Sequence, residues 1–383
     1  MSDHTDLPDY SHCVGCRVCK DVCSRNAVEM IPDRHGFYFP VIDEKKCIHC
    51  RKCENTCPVV HIPSAITERK EAYVGVHRDS SVLSKSASGG AFSAVWRAWN
   101  AEAVCGVRWQ EFKAVSDIGF NDEEIESFSK SKYMISDTND IYRRAASEVQ
   151  VGKKVVFSGA PCQVAAFRNY MGERDVDNLL LVDIVCHGAP SAFLFQMHLR
   201  ELEAKKGKVK TWTFRDKTPI NGVISSRSAR VDFAQGGWEH YEIHQDAYLR
   251  MYYGRIGYRN ACGSCPFAKP ERVSDITVCD AHHIHELYPE MTVEKGASII
   301  LIHSDKGRRL LPEIKAAMTL LNVDYEWVVD NNEQLSKPTT IHPKTNEFYR
   351  LIDAGKSFEK AVATVTHRSF LSRVIGKVKR VLK

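Results

Sequence analysis

One cysteine run occurs twice in this chain with identical spacing: Cys13-x2-Cys16-x2-Cys19-x3-Cys23 and Cys47-x2-Cys50-x2-Cys53-x3-Cys57, the second followed by Pro58. Three thiolates at such intervals let a tight loop wrap one iron-sulfur cubane, while the fourth, one helical turn later, points at the neighbouring cluster. The spacing therefore predicts two [4Fe-4S] clusters with crossed ligation. Cys13, Cys16, Cys19 and Cys57 hold one; Cys47, Cys50, Cys53 and Cys23 hold the other. Between the runs, AVEMIPDRHGFYFPVID (27–43) alternates apolar residues about a polar Asp33-Arg34-His35-Gly36 turn, the pattern of a short hairpin. Ser24 stands where the first run would usually carry proline, a place that shapes the exit turn and supplies no ligand. Zinc is the competing reading, since four thiolates also suit it, but zinc modules favour separated CxxC pairs.

The remaining composition fits that reading. The amino terminus, MSDHTDLPDY, has neither the basic start nor the apolar run of a secretory signal, so the chain is expected in the cytosol. There, fourteen cysteines are not a disulfide framework, because reducing conditions keep thiols free for metal or catalysis. At 383 residues, with 43% hydrophobic and 26% charged residues, the chain is globular and long enough for two or three domains. Its apolar runs at 179–185 and 297–302 are strand-length, far short of the roughly 20 residues of a membrane span. The net charge of +5 is local: residues 368–383 hold six basic side chains and no acidic one, and without them the chain stands at −1. No global basic surface for nucleic acid follows from such a balance.

After a polar linker at 64–70, strands and helices alternate. EAYVGVH (71–77) reads as a strand, and SKSASGGAFSAVWRAWN (84–100) as a loop leading into a helix that begins near Gly89. A Ser/Gly-rich turn at a helix start offers free N–H groups to phosphate, though an ordinary cap has the same appearance. Two later strands each end just before a cysteine: the strand at 154–157 precedes Cys162, and the strand at 179–185 precedes Cys186. Ligands of open α/β sheets collect beyond the carboxyl ends of strands. Farther on, Cys262 and Cys265 form a CxxC flanked by Arg259 and Lys269, and would complete a set of four thiolates. Cys105, inside the apolar run 103–107, reads as a small buried hydrophobe.

These segments resemble the coenzyme F420 hydrogenase/dehydrogenase beta-subunit family, including bacterial members with an N-terminal two-cluster ferredoxin. The resemblance runs to about residue 350 and rests on SASGGAF (86–92), SKY (131–133), SGAPCQVAAF (158–167), VDIVCHGAPS (182–191), FRDK (214–217) and CGSCPFAKPERVSDIT (262–277). It implies an α+β ferredoxin-like two-cluster domain at 1–66, an α/β flavin-binding domain with FAD and a third [4Fe-4S] cluster at 67–350, and a tail at 351–383. By that resemblance Cys162, Cys186, Cys262 and Cys265 bind the third cluster, and Ser88, Gly89, Gly90 and Lys132 lie near the flavin. His187 is the candidate proton relay; its bland counterpart is a backbone hydrogen bond beside the cluster. Coenzyme F420 is expected only if the host makes it. Where relatives carry Gly-Asp and an aromatic pair, this chain has Cys279-Asp280-Ala281-His282.

The implied function is oxidoreductase electron transfer between ferredoxin-type clusters and a flavin-linked hydride donor or acceptor. Its expected partners are a redox protein, ferredoxin or dehydrogenase, and a small-molecule substrate; a non-catalytic electron-transfer subunit is the alternative. No GxGxxG supports a nicotinamide site. In the tail, Phe370, Leu371, Val374, Ile375, Val378, Val381 and Leu382 fall at helical spacing among the basic residues. That pattern suits peripheral contact with the inner membrane face or a packed terminal helix equally well. Bacterial relatives often accompany polysaccharide-assembly enzymes, which tilts the expectation toward the membrane and toward polysaccharide biosynthesis.

Overall fold

The computed structural model describes residues 6–174, 176–291 and 296–367. The basic tail at 368–383 lies outside the described residues. Near the amino end, β1 (Val28–Pro32) and β2 (Tyr38–Ile42) form the expected antiparallel hairpin, with Val28 opposite Ile42 and Pro32 opposite Tyr38. The repeated sequence gives repeated geometry around it. One-turn helices Val18–Asp21 and Lys52–Asn55 carry Cys19 and Cys53, and each follows an arginine held at positive φ, Arg17 at 65° and Arg51 at 57°.

The other strands are β3 (Glu71–His77), β4 (Ala103–Gln110), β5 (Lys113–Gly119), β6 (Val155–Gly159), β7 (Leu179–Ile184), β8 (Val209–Phe214), β9 (Ser228–Phe233), β10 (Trp238–Glu242), β11 (Ile276–Asp280), β12 (Ser298–Ile302) and β13 (Met318–Val323). Eight of them form one mixed sheet in the order β13-β3-β12-β11-β7-β6-β4-β5. Its centre, β11-β7-β6-β4, is parallel, and antiparallel strands finish both sides. Both faces are covered, so the central strands are apolar almost without interruption. Val155, Phe157, Leu179 and Leu181 pack toward helices Ile141–Gln150 and Pro161–Tyr170. Their alternates Val156, Leu180 and Val182 pack toward Ala91–Ala98 and Leu311–Ala317.

A smaller antiparallel sheet, β10-β9-β8, closes a second core. Trp212, Phe214 and Val231 meet Phe195, Tyr248, Phe348 and Phe358 there. Helix Phe358–Thr366, beyond the residue 350 limit expected for the flavin-type domain, is therefore part of this layer.

The amino-terminal module is tied to the body through the loop of the first cysteine run. The Cys16 carbonyl accepts from Thr138 Oγ1 at 2.9 Å and from Tyr142 Oη at 2.8 Å. Arg17 pairs with Asp137, and the His35 carbonyl accepts from Ser191 Oγ at 2.5 Å.

Candidate redox centres

In the first thiol set, Cys57 from the second run stands with Cys13, Cys16 and Cys19 from the first. Every pair among these four lies within electrostatic reach, and burial first, then the neighbouring thiols, pushes the Cys16, Cys19 and Cys57 thiols up. In the second set, Cys23 from the first run joins Cys47, Cys50 and Cys53 around a cleft floored by Ala27, Val28 and Ile42. Cys53 is raised mainly by burial, with Cys23 and Cys47 adding to it.

Strands β6 and β7 run parallel, so their carboxyl ends deliver Cys162 and Cys186 to the same edge of the sheet. The 3-10 turn Asn260–Ser264 brings Cys262 there, with Cys265 just beyond. All six pairs among these four thiols interact, and burial drives Cys186 up to about 11 and Cys262 up to about 12. Mutually destabilised thiolates suit a bound cationic core, which reverses that cost. Among the described residues no three His, Cys, Asp or Glu side chains converge on a single ion. A cubane does not require its ligands to meet at one point, so the donor sets fit iron-sulfur clusters.

The sets also lie within electrostatic reach of one another. Cys162 of the third feels Cys16 of the first, and Cys19 of the first feels Cys53 of the second. Their order is therefore third, first, second.

A buried ion pair braces the third set. Arg272 Nη2 donates to Asp183 Oδ2 at 2.8 Å, with side chains 1% and 0% exposed. The same guanidinium donates to the carbonyls of Phe267, just past Cys265, and of Ile184, just before Cys186. Thr277 Oγ1 donates to Asp183 Oδ1 at 2.5 Å and meets His303 Nε2 at 2.9 Å.

On the other side of the third set a polar cluster gathers about Asp280, at the carboxyl end of β11. Arg215 Nη1 donates to both Asp280 oxygens, at 2.9 and 2.7 Å, from a backbone held at φ 55°. Lys217 Nζ donates to the Ser88 carbonyl at 2.7 Å, and burial draws its ammonium down to about 8. Tyr133 stacks on Tyr252 at 4.1 Å and shares a 3.1 Å hydroxyl contact with Tyr253. His187 and His282 lie edge to face at 6.2 Å, and burial lowers both.

The residues expected near a flavin divide. Ser88 belongs to this cluster. Gly89 is a packing position, where a Cβ would come within 2.5 Å of the Gly75 carbonyl and 2.7 Å of that of Gly296. Gly90, at φ 81°, starts the helix Ala91–Ala98. Lys132 turns back on its own loop, donating to the carbonyls of Ser127, Phe128 and Ser129, and burial brings it down to about 7. Cys105 is buried in the core as a hydrophobe, and Cys279 packs partly buried beside Val185 and Ile299. A cleft of about 510 Å³ lies elsewhere, between the hairpin and helix Thr345–Asp353, beside Tyr10, His35, Arg259 and Tyr349.

Two stretches of the chain match known families. Residues 152–326 match the family described as the C terminus of the coenzyme F420 hydrogenase/dehydrogenase beta subunit, and residues 12–60 match a 4Fe-4S dicluster domain. The chain thus joins a stretch matching a 4Fe-4S dicluster domain to a stretch matching the C terminus of the F420 hydrogenase/dehydrogenase beta subunit. It is accordingly an iron-sulfur, electron-transfer protein of oxidoreductase type. A chain of the F420-reducing [NiFe] hydrogenase complex from Methanosarcina barkeri is similar over 73% of this chain and 97% of its own, at 15% identity and a TM-score of 0.45. No curated protein matches. The beta-subunit region holds Cys162, Cys186, Cys262 and Cys265, together with Arg215, Asp280, Arg272 and Asp183. Of the last four, the sequence named only Asp280, as part of a departure from the relatives' pattern. Arg215 and Arg272 lay inside the quoted blocks FRDK and CGSCPFAKPERVSDIT, but nothing local named their partners.

Proposed function

We propose that this chain is an iron-sulfur flavoprotein that passes electrons along three [4Fe-4S] clusters to or from a flavin near Asp280, serving hydride chemistry on a small molecule. The observation that carries the reading is the succession of thiol sets, with Cys162 within electrostatic reach of Cys16 and Cys19 within reach of Cys53. When bound, a flavin supplies conversion between hydride and single electrons, and the clusters supply single-electron steps. The protein's part is placement. Thr138 and Tyr142 fix the first loop against the body, and the Arg272–Asp183 pair fixes the approaches to Cys186 and Cys265.

Ser88, Arg215, Lys217 and Tyr133 are the groups that would hold the flavin, and His187 with His282 would handle its proton. A neutral imidazole can accept one. The substrate setting is polysaccharide assembly, with the tail at 368–383 resting on an anionic membrane. No helix among the described residues is long and apolar enough to cross a membrane.

Anaerobic purification with iron, sulfide and flavin quantified together tests the proposal. About twelve irons and one FAD per chain are expected. About eight irons without flavin would leave a two-cluster carrier for a partner enzyme and overturn it.

A further inference from the structure

Arg259 is the bulkiest fully enclosed side chain among the described residues, with 2% of its surface exposed. Its Nε donates to the Cys13 carbonyl at 2.5 Å and its Nη2 to the Tyr38 carbonyl at 2.9 Å. The guanidinium lies 4.2 Å from the centre of the Phe39 ring. Nη1 has no partner, and no carboxylate among the described residues forms an ion pair with this cation. That orphan nitrogen is aimed at Gly15, between Cys13 and Cys16, where a Cβ would approach it to 2.8 Å and where φ is 70°. From the other side, the Arg259 carbonyl accepts from Cys262 N at 3.0 Å. One arginine thus binds the backbone of a ligand cysteine in both the first and the third thiol sets.

A buried cation without a counter-ion is strongly unfavourable, and two carbonyls and a ring face do not offset it. An anion facing it offsets that cost. A cubane held by four thiolates is a net anion, and such clusters take their potentials from the charge and hydrogen bonds around them. We infer that Arg259 is a charge-setting residue shared by the first and third clusters, its fixed cation raising the reduction potential of both and favouring the electron at their junction. The inference rests on the three-cluster reading.

The test is a potentiometric titration followed by EPR on anaerobic, fully loaded protein, with iron and sulfide counted on the same samples. Arg259→Met keeps bulk and removes charge. It is expected to lower the reduction equilibrium constant of the first and third clusters roughly tenfold, or about 59 mV for a one-electron couple. Arg259→Lys should recover most of that shift, and the second cluster should titrate unchanged in both variants. Equal shifts in the Met and Lys variants, a common shift of all three clusters, or none at all would overturn the inference. Should the Met variant fail to load, iron content decides. Full loading of the Lys variant alone upholds a requirement for charge, and equal failure of both overturns it. Wild-type protein with only about eight irons would instead sink the three-cluster reading, and the inference with it.

Discussion

Replacing Asp183 with asparagine removes a charge and almost no volume from the most deeply buried ion pair described, and so isolates what Arg272 needs. Both side chains are essentially unexposed, so water cannot take over the lost partner. The asparagine amide can still meet Thr277, but the guanidinium keeps only the carbonyls of Phe267, Ile184 and Lys269. Breaking one half of such a pair costs roughly 3–5 kcal/mol, a large share of a typical stability of about 5–15 kcal/mol. At roughly 2–4 °C per kcal/mol for a domain of this size, the melting temperature should fall by roughly 6–20 °C. The same carbonyls flank Cys186 and Cys265, so the proposed third cluster should be lost first, iron falling from the roughly twelve expected on that proposal to about eight per chain.

The assay is anaerobic thermal unfolding at a fixed scan rate, with iron measured alongside, for Asp183→Asn, Asp183→Leu, Arg272→Met and the double Asp183→Leu/Arg272→Met variant, the last three closing the cycle. An apolar replacement of both partners should lose roughly 2–3 kcal/mol less than the two single losses summed. A melting temperature for Asp183→Asn within about 2 °C of wild type, or strict additivity in the double variant, would refute the reasoning.

Other outcomes follow from neighbouring features. His303 is buried and its imidazole is pulled down to about 3, first by burial and then by Arg272. The unfolded chain therefore takes up that proton first, and stability is lost as pH falls from roughly 6.5 toward about 3. His303→Gln should flatten the fall by at most about 1.4 kcal/mol per pH unit, and equal slopes for the two proteins in acid unfolding series would count against it. Glu333 is held down near about 2, chiefly by its 2.6 Å contact with Arg255. Its contribution is present above the ordinary carboxylate range and fades as pH drops toward that value. Because the pair is partly exposed, Glu333→Gln should cost no more than about 1 kcal/mol at neutral pH, checked by urea titration. Gly89→Ala forces a methyl against two backbone carbonyls and should cost roughly 1–3 kcal/mol, read as a lower urea midpoint.

What the sequence made legible was local. The x2-x2-x3 spacing is a property of one loop and its helix, so all eight N-terminal cysteines could be assigned from a few residues, as could the hairpin between them. The third set could be suggested from strand ends and the CxxC but was linked only through resemblance, because Cys162 and Cys265 lie about a hundred residues apart, and it takes the parallel pairing of β6 and β7 together with the turn Asn260–Ser264 to bring the four thiols to one edge. Arg272 with Asp183 and Arg215 with Asp280 depend on partners far along the chain, and no spacing encodes them. Lys132 shows the converse. A lysine expected near a flavin spends its ammonium on carbonyls three to five residues behind it, a local contact that its neighbours SKSKY did not announce.

The grip of Thr138 and Tyr142 on the Cys16 carbonyl has a kinetic meaning. A module clamped at the loop that wraps its own cofactor cannot swing like a tethered carrier between two docking stations. Transfer across this junction should therefore be indifferent to solvent viscosity, and any friction-limited step must belong to an encounter with another molecule.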